Sequence, residues 1–138
     1  MSFNPERWLQ VADVCCINIP KVDSEALLRT AVNRAYYAAL MSVKRRIEKA
    51  QGAGAVPTSG THEALMQALR VGGPSFEKIY RILYRLQKSR NAADYELDTE
   101  PLVRNFVVED ITRCRKLIYN QINAVRDEEY RTLFIPRP

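Results

Sequence analysis

Cysteine, histidine and glycine are scarce in this 138-residue chain. Its three cysteines, Cys15, Cys16 and Cys114, are too few and too odd in number for a disulfide framework. No two of them form a Cys-x-x-Cys pair, and one histidine, His62, cannot anchor a usual zinc site. Neither a metal nor another cofactor is therefore expected. No apolar run approaches the ~20 residues of a membrane span. The N-terminal MSFNPERWLQ lacks a basic segment leading into an apolar core, so it does not read as a secretory signal. The expected location is cytoplasmic, with reduced, buried thiols and no membrane contact.

What is present fits a globular chain. Hydrophobic residues make up 46% and charged ones 27%, a balance that argues against wholesale disorder. One domain over residues 1–138 is expected at this length. The net charge is +5, unevenly spread. Residues 1–28 sum to −2, residues 29–90 to +9 and residues 91–138 to −2. Fifteen of the 21 basic side chains are arginine, which suits bidentate phosphate contact and also buried ion pairs. A basic middle between mildly acidic ends fits a polyanion such as RNA, or equally a solvated helical surface.

No strand pattern occurs. Glycine and proline gather near Pro20, in Gly52–Gly60 and at Gly72-Gly73-Pro74, and divide the chain into helical blocks. The first runs from Pro5 to Asn18 with Asn4 as N-cap and Trp8, Val11, Ala12, Cys15 and Ile19 on one face. The second runs from Asp23 or Ser24 to Ala50. Its apolar stripe is Leu28, Val32, Ala35, Tyr36, Ala39, Val43 and Ile47. QGAGAVPTSG reads as a flexible loop that buries nothing. A short helix spans His62–Val71 with Thr61 at its N-cap. The next starts at Pro74 or Ser75 and carries Ile79, Ile82, Leu83 and Leu86. The last starts near Thr99, continues for ~30 residues, and lines up Val103, Val107, Ile111, Cys114, Ile118, Ile122 and Val125. The tail RTLFIPRP packs back on the body or on a partner. The fold class is all-α: a bundle of four principal helices with one short additional helix.

Arg90 follows Leu83 and Leu86 by seven and four residues, so it continues the apolar stripe of its helix. An arginine there needs a partner, and Asp94 lies one turn on. Tyr36 and Tyr37 point ~100° apart, so one enters the core while the other faces a groove. Asn33 and Tyr37 share a face, as do Arg34 and Ala38. Lys44, Arg45 and Arg46, and Lys78, Arg81, Arg85 and Lys88, are candidate phosphate contacts or solvated faces.

Three segments resemble the HEPN domain family. Arg29-Thr-Ala-Val-Asn-Arg-Ala-Tyr-Tyr-Ala-Ala-Leu40 is similar to its long second helix, which typically reads S-R-A-Y-Y-A-A-F. Gly60-Thr61-His62-Glu-Ala-Leu65 is similar to the G-x-H-x-x-L segment of one branch. Arg90-Asn91-Ala92-Ala93-Asp94-Tyr95 resembles that branch's R-x-x-A-D-Y signature. The segments occur in family order and span about residues 24–97. The resemblance implies an up-down four-helix bundle, commonly dimeric, with RNA- or nucleotide-directed roles in bacterial or archaeal toxin–antitoxin and phage-defence systems. Many members are metal-independent endoribonucleases with an Arg-x(4–6)-His motif supplied by two protomers. Arg90 matches the arginine, but the histidine positions hold Tyr95, Glu96 and Leu97.

RNA cleavage through the 2′-hydroxyl needs a base, an acid and positive charge on the phosphate. Arg90 supplies charge, Tyr95 is a candidate acid and Asp94 a candidate base that an Arg90 pair would weaken. Arg34, Lys44, Arg45, Arg81, Arg85, Lys88 and Asn91 are the candidate nucleic-acid contacts, with Tyr37 and His62 as accessories. Three functions fit: an endoribonuclease, a non-catalytic RNA- or nucleotide-binding module, or an interaction domain that docks a minimal nucleotidyltransferase partner.

Overall fold

The computed structural model describes residues 3–17, 19–96 and 101–134, which are all-helical with no strand among them. The helices are α1 (Arg7–Cys15), α2 (Ser24–Gln51), α3 (Thr61–Val71), α4 (Pro74–Tyr95), α5 (Arg104–Leu117) and α6 (Asp127–Tyr130). Among the described residues, no helix is long and apolar enough to cross a membrane.

The second helix, α2, is the hub: α1, α3, α4, α5 and α6 all pack on it. Asp23 starts it by accepting the Ala26 backbone N–H at 2.9 Å. The expected stripe from Leu28 to Ile47 is buried, and Ala31, Ala38, Leu40 and Ser42 widen it. Alanine has no bulk beyond Cβ, so neighbours approach α2 closely on several sides.

Four expectations about the elements change. The first helix begins at Arg7 because Asn4 caps a preceding turn, accepting the Glu6 N–H at 3.0 Å. Its buried face is Leu9, Ala12 and Cys15, whereas Val11 points outward. Gly60, in the left-handed region at φ 65°, occupies the N-cap of α3, and Thr61 is the first helical residue. The loop before α3 does bury a side chain, Val56, which is 2% exposed and joins the core. The expected ~30-residue last helix is broken, and Val103 lies exposed. The positions expected to end the first block (Asn18), to start the last (Thr99), and to close the tail (135–138) lie outside the described residues.

That break has an identifiable cause. After Leu117 the chain makes a π-helical turn, Ile118–Ile122, closed by the Asn123 N–H on the Ile118 carbonyl at 2.9 Å. The freed carbonyls are taken by a side chain from α2. Arg46 donates to the Ile122 carbonyl at 3.2 Å, the Val125 carbonyl at 2.8 Å and Asp127 Oδ1 at 3.0 Å. The Tyr130 hydroxyl donates to the same Ile122 carbonyl at 2.6 Å. Gln51 donates to the Tyr130 and Leu133 carbonyls, which folds the described part of the tail onto the body. Arg46, a candidate phosphate contact from sequence, is thus a structural cap.

Arg46→Met keeps the apolar stem and removes these charge-assisted bonds. It should lower stability by about 2 kcal/mol in urea unfolding. Lys44→Met, at a half-exposed site two residues earlier on α2, should change it by less than ~0.5 kcal/mol. Equal effects would remove the capping role.

Candidate functional site

The site forms where one face of α2 meets the C-terminal half of α4. Arg29, on the first turns of α2, fixes that end of α4. It donates to the Ala93 carbonyl at 2.9 Å and the Glu96 carbonyl at 3.0 Å, and pairs with Glu25 at 3.0 Å. Glu25 also accepts the Leu102 N–H at 2.9 Å. The start of α2 therefore holds the chain on both sides of residues 97–100. Sequence reading gave Arg29 no such task, because its partners are backbone groups more than sixty residues away.

Arg90 and Asp94 pair as their spacing predicts, with Arg90 Nε 3.0 Å from Asp94 Oδ2 and side chains 13% and 22% exposed. The Nε lies at an angle that makes this a charge contact, not a hydrogen bond. The remaining guanidinium nitrogens donate to the Tyr37 hydroxyl and to Asn91 Oδ1, each at 2.7 Å. Asn33 Nδ2 donates to Asp94 Oδ2 at 2.9 Å, and Arg34 Nε donates to Asn33 Oδ1 at 2.8 Å. One chain of contacts thus runs from Arg34 through Asn33 and Asp94 to Arg90.

Aromatic rings frame the two arginines. The Arg90 guanidinium carbon lies 5.2 Å from the Tyr37 ring centre and 5.7 Å from that of Tyr95. The Arg34 guanidinium carbon lies 5.8 Å from the Tyr37 ring centre and 5.4 Å from the Trp8 ring centre. Tyr95 is 71% exposed. Trp8 escaped sequence reading as a site residue because it counted toward the apolar face of α1.

His62 sits behind this layer. Its ring contacts the Tyr36 hydroxyl at 3.3 Å and Gln87 Nε2 at 3.0 Å. Tyr36 is fully buried and Tyr37 half-buried, so one does enter the core while the other lines the site. Burial pushes the Tyr36 hydroxyl up, which keeps it protonated. Within the chain His62 therefore lies against Tyr36, not on the Arg90 guanidinium.

The candidate cations do not share one surface. Lys44 and Arg45 line a groove of about 620 Å³ with Phe3, Pro5 and Trp8. Arg81 pairs with Glu77 at 2.7 Å on exposed helix surface, and Lys88 covers the Tyr84 ring at 5.0 Å. Arg85 faces a separate groove between α4 and α5. Of the cysteines, Cys15 and Cys114 are buried and Cys16 half-buried. Burial raises all three thiols, Cys114 to about 12, so none is poised as a nucleophile.

Two outcomes follow from this geometry. Arg90→Met strands Asp94 with Asn33 as its remaining partner, and should lower stability by about 2 kcal/mol. The double variant Arg90→Met/Asp94→Leu should lose less than Arg90→Met alone, measured by urea midpoints. The second concerns pH. Burial, then the Arg90 charge, lowers the His62 pKa against the opposing pull of Glu63. The folded state thus favours neutral His62, and that stability is present above the ordinary value of 6.5 and lost as pH falls through the lowered one. Wild type should lose thermal stability more steeply than His62→Gln between about pH 6.5 and 5. Parallel curves would refute this.

Comparison with protein-family models, curated proteins and solved structures gives no match to the chain.

Proposed function

We propose that the chain is an RNA-directed, HEPN-like module that binds single-stranded RNA along the uncovered face of α2. The observation that carries this reading is a continuous strip of alternating rings and cations. It runs from Tyr95 and Arg90 over Tyr37 to Arg34, then past Trp8 to Phe3, Lys44 and Arg45. Phe3 and Trp8 meet with ring planes tilted by 46° and ring centres 5.2 Å apart. On α2 the strip spans Asn33 to Arg45, ~18 Å at 1.5 Å per residue, the reach of about three nucleotides. Arginine and lysine take phosphates, and aromatic faces accept any base, so this composition suits an unpaired strand.

The up-down four-helix arrangement, paired protomers, and a place in a toxin–antitoxin or phage-defence system belong to the same proposal. So does a minimal nucleotidyltransferase as partner protein. They rest on the resemblance of the three sequence segments. In this reading Arg90 holds a phosphate, and the exposed Tyr95 hydroxyl is the acid for the leaving oxygen.

One observation favours binding without cleavage. Asp94, the candidate base, is already engaged by Arg90 and Asn33, and His62 is spent on Tyr36 and Gln87. A carboxylate oxygen already taken by a guanidinium and an amide leaves little room for a substrate hydroxyl.

A salt titration of a short oligoribonucleotide tests the strip. With three to four phosphate contacts, log K against log salt should slope about −2 to −3. Arg34→Ala with Arg45→Ala should make the slope shallower by about 1.4. Trp8→Ala should weaken binding by ~1–3 kcal/mol with the slope unchanged, because it removes a stacking face and no charge. Salt-independent binding would reject the strip. Incubation with RNA in EDTA separates the two readings: cleavage that Arg90→Ala and Tyr95→Phe both abolish establishes the nuclease, and intact RNA establishes the binder.

A further inference from the structure

The groove between α4 and α5 is separate from the strip just described. Arg85, on its wall, points ~140° around α4 from Arg90 at 100° per residue. The groove encloses about 560 Å³, within the size range of small-molecule sites. Its floor is apolar: Leu86 and Leu117 are almost fully buried, and Ile82 half-buried.

The walls carry a net positive charge, three cations against the one carboxylate of Asp110. Arg85 on α4 and Lys116 on α5 line the groove, and among the described residues neither has an ion-pair or hydrogen-bond partner. The third cation, Arg113, is neutralised by Asp110 at 2.9 Å. Asp110 is held in place by Arg113 and Ser89, and its side chain is 17% exposed. The uncompensated charge of the lining is thus that of Arg85 and Lys116.

The π-helical turn, Ile118–Ile122, contributes Asn120 and Gln121 to the lining. A π turn is a poorer backbone arrangement than the α-helix it interrupts, and such turns are frequent at functional sites. Here it sets two primary amides, each a donor and an acceptor, beside an apolar floor and two free cations.

We infer that this groove binds a phosphate monoester carrying an apolar body. Arg85 and Lys116 would hold the dianionic phosphate from opposite walls. Ile82, Leu86 and Leu117 would take the apolar body. The apolar floor separates this ligand from inorganic phosphate, and the two cations separate it from a neutral aromatic.

Isothermal titration with phenyl phosphate, with inorganic phosphate and phenol alongside, tests the assignment on the full chain. Phenyl phosphate should bind at least tenfold more tightly than either component, since tenfold corresponds to 1.4 kcal/mol. Arg85→Ala and Lys116→Ala should each weaken it by about tenfold, the worth of one charge-assisted contact. Ile82→Ser should weaken it by about threefold or more through the lost apolar face. Arg70→Ala, on α3, should leave it unchanged. Inorganic phosphate binding as well as phenyl phosphate, equal effects at Arg70 and Arg85, or no binding at all would overturn the inference. An oligoribonucleotide that displaces phenyl phosphate would also overturn it, by placing both ligands in one site.

Discussion

A helix of 28 residues with six other elements packed on it must bury most of its circumference. The rest of the structure follows from how α2 meets that demand. Alanine and valine cover the sides that touch α1, α4 and α5, so the neighbours lie close. What remains is a narrow line along the helix: Asn33, Arg34, Tyr37, Met41, Lys44 and Arg45, all at least partly exposed. Tyr37 and Met41 on that line still pack against the edge of the core, while Asn33, Arg34, Lys44 and Arg45 are polar. The candidate site is thus the part of α2 that packing leaves over, extended by Arg90 and Asp94 from α4 and Trp8 from α1.

Periodicity made much of this legible. The apolar stripe of α2 is a long 3.6-residue repeat, and each member expected in it is buried. The last helix shows where that signal fails. Its stripe from Val107 to Val125 is unbroken in sequence, and those residues are indeed buried. The backbone beneath them nevertheless leaves the α-helix after Leu117. Further on, Arg46 takes the Ile122 and Val125 carbonyls in place of a next helical turn, so the helical run ends there. A donor 76 residues away leaves no mark on local periodicity. The Arg29 cap on α4 was hidden for the same reason.

The site divides along the same line. The Arg90–Asp94 pair was legible because four-residue spacing puts both on one helix face. Asn33 on Asp94 and Gln87 on His62 were not, since each joins two helices whose register the sequence does not state. Trp8 was hidden differently: an aromatic at helical spacing reads as core. Only its half-burial, with Arg34 over the ring, makes it part of a surface.

The charge of the central segment resolves into two populations. Arg29, Arg46 and Arg90 are half-buried and spend their donors on carbonyls, carboxylates and a hydroxyl of the same chain. Such an arginine is fixed in direction and already compensated, so it adds little to the field outside. Arg45 and Arg85 have no ion-pair partner among the described residues, and both are exposed. Field strength at the surface comes from this second group, while geometric precision comes from the first. A phosphate arriving at Arg90 must compete with Asp94 for the guanidinium, so binding there is weaker than the count of arginines suggests and more selective for groups that fit beside Tyr37. At Arg85 and Lys116 no carboxylate competes in this way, and an incoming anion gains their full attraction. Segment charge alone fits a polyanion partner and a solvated surface equally. The pairing of each cation decides where on the surface that attraction can act.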